Sequence, residues 1–280
     1  MELSAGVTVA VLGAALLHAS WNALVKSGRD PLLDMALLTF AGSAIATALA
    51  LALRLAPPVA ASWPYLAAST VIHVGYYVAL AGAYRAGDLS HGYPIMRGTA
   101  PLLTAVGTWL LLGEPLSPAA AAGVLLISGG VLSLGFAGGG ASGRATAWAL
   151  TSAALIALYT LADGAGVRVS GDAFRYVVWV FVVHAVPFWL GMLVLKRGEL
   201  LRHAARHWKR GFGGAALSGL SYGIALWAMT RAPVAIVAAL RETAVIFGAL
   251  IGAWLLREGH LRARLAGAAV VLAGLVALRL

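Results

Sequence analysis

Two arginines stand inside apolar stretches of this chain. Arg97 lies in Tyr93-Pro-Ile-Met-Arg97-Gly-Thr99-Ala-Pro101 and Arg241 in Leu240-Arg-Glu-Thr243. A charge in hydrocarbon is costly, so an intramembrane arginine is a functional hypothesis by default. The planar guanidinium fork suits a carboxylate, phosphate or phosphonate. Around the arginines, Trp21, Asn22, Tyr77, Tyr93, Tyr159 and Tyr222 are candidates to wall or hold a ligand, and His18, His73, Asp163 and Glu242 are candidates to carry protons. The structural alternatives are specific. Arg97 pairs with Asp163 or Glu242, or snorkels to the interface. His18 and Asn22 join helices by hydrogen bonds, and Trp21 sits in an interfacial belt.

Helical spacing groups these residues. His18, Trp21, Asn22 and Lys26 share one stripe. His73, Tyr76 and Tyr77 share another, and aligning Arg85 with Arg231 sets Tyr76 on Tyr222. Tyr159 and Asp163 are one turn apart, with Asp163 near the end of its span. A carboxyl facing a cavity suits proton transfer, because desolvation moves its pKa towards working pH. Pro94 and Pro101 each remove a backbone donor, which predicts an interrupted helix around Arg97. The stretch around Arg241 has no internal proline.

The elements that carry these residues are membrane spans. The chain has 280 residues, 61% of them hydrophobic and 11% charged, with mean hydropathy +0.89. Soluble domains carry about 25% charged residues. The net charge of +10 reflects basic residues at the ends of apolar runs, not a nucleic-acid surface. With no cysteine, disulfides and thiolate metal sites are excluded. The first apolar run follows Met1-Glu-Leu3 with no basic n-region and no cleavage site, and reads as a span, not a signal peptide.

At about 20 residues per span, ten spans are predicted: 4–26, 32–54, 63–84, 89–112, 118–136, 145–166, 174–195, 210–230, 233–256 and 262–279. Turn residues separate them, among them Ala86-Gly-Asp88, Gly113-Glu-Pro115 and Gly259-His260. The motif around Arg97 returns 144 positions on at Arg241. At that spacing Glu114 returns as Glu258, Gly123 as Gly267 and Gly130 as Gly274. Residues 1–137 and 145–280 therefore read as five-helix repeats joined by a Gly-rich linker, 138–144. An odd helix count inverts the second repeat, so the fold class is all-α integral membrane with ten helices in two inverted repeats. Gly219/Gly223 and Gly248/Gly252 are predicted close-packing pairs.

Two tempting motifs are set aside. Gly140-Ala-Ser142-Gly143 resembles an intramembrane serine-protease motif but falls in the linker. Glu199, His203 and His207 have metal-binding spacing, yet their basic amphipathic segment fits an interfacial helix better.

Gly113-Glu-Pro115, its counterpart Arg257-Glu-Gly259, and the Gly-rich spans after each resemble the drug/metabolite transporter superfamily in its ten-helix EamA-like branch. His18-Ala-Ser-Trp-Asn22 and the two arginine motifs are similar to one subgroup of it. The resemblance runs over nearly the whole chain. It implies alternating access round a cavity lined by spans 1, 3, 4, 6, 8 and 9, with spans 5 and 10 peripheral. It also implies cytoplasmic termini. The basic connections between spans 7 and 8 and between spans 9 and 10 oppose that orientation under the positive-inside rule, although long loops weigh less in it. The expected function is secondary transport of a small anionic or zwitterionic metabolite, such as an amino acid or phosphonate-like compound. The protein is expected to be a multi-pass protein of the inner (plasma) membrane. Its partners are the substrate and membrane lipid, as monomer or homodimer, with no enzymatic activity, cofactor, metal or nucleic acid. A passive channel, an intramembrane enzyme and a lipid flippase are the competing readings.

Overall fold

The structure is a computed structural model. It describes residues 3–26, 28, 30–86, 89–136, 142–255 and 261–278. Most of the Gly-rich linker, Asp88, and the connection holding Arg257, Glu258, Gly259 and His260 lie outside them. Of Lys26, His91 and Gly252 only the backbone is described.

The described residues are helical, with no strand among them. The helices are α1 (Ala5–Lys26), α2 (Pro31–Ala52), α3 (Trp63–Ala86), α4 (Leu89–Leu112), α5 (Pro118–Phe136), α6 (Gly143–Ser170), α7 (Ala173–Met229), α8 (Val234–Arg241), α9 (Ala244–Leu255) and α10 (Leu261–Ala277). Six of them, α1, α2, α4, α5, α6 and α7, are long and apolar enough to cross a membrane. In hydrocarbon each backbone polar group needs an internal partner, which helices supply.

The helix pattern departs from the predicted spans in three places. First, α4 runs unbroken through Pro94 and Pro101. Proline 101 still leaves the Arg97 carbonyl without its helical donor. Second, the predicted seventh and eighth spans form one element, α7, whose only non-helical residue is Lys196, at φ −140° and ψ 32°. Its arms, 173–195 and 197–229, fold back on each other: Phe181 meets Tyr222 edge-on at 6.2 Å, and a Cβ on Gly223 would stand 3.3 Å from Val177. Third, the predicted ninth span is broken between α8 and α9. Thr243 takes the Leu240 carbonyl with both its N–H (3.1 Å) and its hydroxyl (2.7 Å). That carbonyl is the acceptor Ala244 would use in a continuous helix.

Small residues set the closest crossings. A Cβ on Gly82 would lie 2.6 Å from Trp148, which brings α3 onto α6. On the α5–α10 seam, a Cβ on Gly123 would lie 2.9 Å from the Gly274 carbonyl oxygen, and one on Gly274 would lie 2.9 Å from that of Gly123. Gly130 and Gly267 meet the same way, at 3.0 and 3.1 Å. As numbers rise along α5 they fall along α10, so the two helices run antiparallel. Gly248, expected to pack closely, has nothing within 4 Å of where its Cβ would stand.

Candidate functional site

The broken helix builds the centre of the site. All eight residues of α8 are buried, and its first free N–H, that of Val234, donates to Glu114 Oε2 at 3.3 Å. Glu114 also forms an ion pair with Arg168, which donates to the carbonyls of Met229 (2.7 Å) and Ala232 (3.1 Å). A carboxylate at a helix start and an arginine at a helix end both suit the helix dipole. The same rule places Arg241 in the last turn of α8 and Glu242 just before α9.

Arg97, Arg241 and Glu242 are all buried, at 6%, 8% and 4% exposure. Arg97 therefore does not snorkel, and of its two proposed partners it takes Glu242. Its Nε stands 2.9 Å from Glu242 Oε2, close enough for an ion pair but not aligned as a hydrogen bond. The Arg241 guanidinium lies over the Tyr222 ring, 5.4 Å from its centroid, and its Nε is buried with no hydrogen-bond partner. Two guanidinium groups against one carboxylate leave a net positive charge. A buried donor without a partner costs about 1–3 kcal/mol, and more when charged.

His18, Tyr93 and Tyr159 lie within electrostatic reach of both arginines. His18 meets Trp21 edge-on at 5.1 Å. Asn22 donates its side-chain N–H to the His18 carbonyl at 2.7 Å, so part of its polar capacity is spent within its own helix. Trp21, Asn22, Tyr76, Tyr93 and Tyr222 are half-buried. Of the paired tyrosines on α3, Tyr76 is within electrostatic reach of Arg97. Tyr77 packs on Phe188 at 4.4 Å and faces His73 at 6.2 Å.

Asp163 belongs to a second cluster. It is fully buried at 0% exposure, not near a solvated helix end as expected, because α6 continues to Ser170 and stops only at Gly171, with φ +68°. Its carboxylate accepts from three hydroxyls: Ser69 (2.7 Å), Tyr222 (2.5 Å) and Tyr176 (3.0 Å). Tyr222 thus touches both clusters, its ring under Arg241 and its hydroxyl on Asp163. His73 stacks on Tyr159 at 4.1 Å, approaches His184 at 4.2 Å, and is hydrogen-bonded through Nδ1 to the Ser69 carbonyl at 2.8 Å.

Ser69, Tyr176 and His184 escaped the sequence reading. A buried histidine such as His184 in an otherwise apolar span was a usable signal. Lone hydroxyls carry none. Of the motifs set aside, Ser142 caps α6 by accepting from the Ala145 N–H at 3.2 Å. His203 bonds Asp34 at 2.9 Å, and Glu199 pairs with Lys196 at 3.0 Å.

Residues 143–280 match the model of the EamA-like transporter family. No curated protein matches the chain at a significant level. One solved crystal structure, described only as that of a protein, aligns over 98% of this chain and 98% of its own, with a TM-score of 0.77 at 21% identity. That likeness establishes a shared fold and says nothing about activity.

Proposed function

This chain belongs to the EamA-like group of the drug/metabolite transporter superfamily and is a membrane transporter, and we propose that it carries a small anionic or zwitterionic metabolite by alternating access. One observation carries this reading. Arg97 takes the one carboxylate of the cluster, Glu242, while the nearby buried Arg241 lies only within electrostatic reach of it and its Nε has no hydrogen-bond partner. A carboxylate, phosphate or phosphonate would complete the set, held bidentately by the guanidinium forks.

Arg97 and Arg241 clamp the anionic group. Trp21, Tyr93, Tyr159 and Tyr222 wall the ligand, with Tyr76 nearer the clamp than Tyr77, and Asn22 offers its amide oxygen. Glu242 is the group the anion displaces. Glu242 and His18 are the proton carriers at the clamp, because a substrate anion that releases Glu242 from Arg97 frees it to take a proton. The break between α8 and α9 supports this assignment, since transporters bring half-helix ends to their binding sites.

The architecture we propose is two inverted five-helix repeats, 1–137 and 145–280, in the inner (plasma) membrane. The Gly123–Gly274 and Gly130–Gly267 contacts support it. Residues related by the 144-residue repeat meet crosswise there, as a two-fold axis across antiparallel helices requires. The test is uptake or efflux in proteoliposomes with Arg97→Ala and Arg241→Ala. Loss of transport in both is expected, with a cooperative melt retained although Arg97→Ala, which leaves Glu242 without its partner, melts lower. Unchanged transport in both removes the clamp.

A further inference from the structure

We propose that His73, Asp163 and His184 form a binding site for a divalent transition-metal ion of the Zn(II) type. The proposal goes beyond the anion clamp and does not depend on it.

The three residues converge from α3, α6 and the first arm of α7. One ligand atom from each lies within 4.8 Å of the others. All three are buried, Asp163 at 0%, His184 at 8% and His73 at 9% exposure. Two imidazoles and a carboxylate are a donor set for Zn(II) and its neighbours, with the fourth position left to water or another ligand. Bonds of about 2.0–2.2 Å require the three donors to draw together from this spacing when the ion binds.

Three further observations point to a cation here. The first is charge. The partners of Asp163 are three hydroxyls, and among the described residues no cationic side chain pairs with it. Tyr222 stands between it and Arg241. A carboxylate this deep calls for a counter-charge or a proton. The second is the orphaned donor. His184 Nε2 is buried with no hydrogen-bond partner, a cost that a metal bond would remove. The third is the surrounding shell. Metal-ligating histidines give their other ring N–H to a carbonyl or carboxylate, and ligating carboxylates are themselves hydrogen-bonded. His73 Nδ1 already lies 2.8 Å from the Ser69 carbonyl, which leaves Nε2 as the free donor atom. Ser69, Tyr176 and Tyr222 orient Asp163, and Tyr159 stacks against the His73 ring at 4.1 Å. With Oδ2 accepting two hydroxyls and Oδ1 one, Oδ1 keeps a lone pair for the metal.

The experiment uses tag-free, chelator-treated protein in detergent. Co(II) is titrated with its visible ligand-field bands as the signal, and Zn(II) is then used to displace it. Expected is one saturable site with bands of low-coordinate N/O ligation. His184→Ala should abolish it. Tyr176→Phe, which touches only the shell, should weaken Co(II) about 10–100-fold. His203→Ala, at the separate His203–Asp34 pair, should leave it intact. Should His184→Ala fail to fold, Ser69→Ala serves as a second shell variant, with the same weakening expected. The proposal is overturned if the parent shows no saturable Co(II) site, if His184→Ala binds as the parent does, or if His203→Ala removes the signal. Because binding is read directly, a failure of the anion clamp in transport assays leaves this result unaffected.

Discussion

Replacing Glu242 with glutamine should separate stability from transport. Its Oε2 stands 2.9 Å from Arg97 Nε, with both side chains almost fully buried. At that distance and an effective dielectric constant of about 20, the attraction is about 6 kcal/mol. Much of it offsets the cost of desolvating both groups. Cutting one partner from a buried pair destabilises by about 3–5 kcal/mol, because the remaining charge is left uncompensated. For a protein of this size each kcal/mol moves the melting temperature by about 2–4 °C, so a drop on the order of 10 °C is expected. The assay is thermal unfolding in detergent, followed by tryptophan fluorescence. An anion that binds the freed arginines should recover about 2.7 kcal/mol at one hundred times its Kd. The double variant Arg97→Met, Glu242→Met keeps the same net charge. Apolar replacement of a buried pair is often neutral or stabilising, so it should melt near the parent while transport is lost. A Glu242→Gln melting point within about 2 °C of the parent, under 1 kcal/mol of change, would refute the burial and pairing on which the clamp rests.

Three other outcomes test the frame round the site. Gly123→Leu should destabilise by about 1–3 kcal/mol through overpacking, since its Cβ would stand 2.6 Å from Leu278; a chemical melt measures it. Gly248→Ala, in open space on α9, should instead stabilise by about 0.4–1 kcal/mol in the same melt. Glu114→Ala should cost about 1–3 kcal/mol and loosen the start of α8, read as faster amide exchange over Val234–Arg241, because the Val234 N–H loses its acceptor and Arg168 its carboxylate partner.

The parts of the site legible in the sequence are those with a charge or a repeat to mark them. Arg97 and Arg241 stand out because hydrocarbon penalises them, and Gly123, Gly130, Gly267 and Gly274 because they recur at one offset. The α8–α9 break was not legible. It shows as a run of backbone bonds to carbonyls three residues back, from Glu242, Thr243, Val245 and Ile246, with no proline or glycine to announce it. Conversely, Pro94 and Pro101 suggested a break that packing in α4 overrides. The depth of Asp163 was misjudged by the placing of one helix end. Gly171 before Asp172 marked the true stop, since Gly171 adopts the left-handed cap and Asp172 caps α7 by accepting from the Arg175 N–H at 3.0 Å. Partner choice, Glu242 over Asp163 for Arg97, depends on three-dimensional neighbours that spacing along one helix cannot give.

The glycine seam between α5 and α10 has a bearing on ancestry. Each helix offers the other the surface it receives, so the contact is of the kind a protein makes with a copy of itself. If the two halves are inverted repeats, as proposed above, a single gene product inserted into the bilayer in both directions would already possess the surface needed to pair. On that view, fusing two such genes needed only a tether, and 1–137 and 145–280 made as separate polypeptides should still find each other.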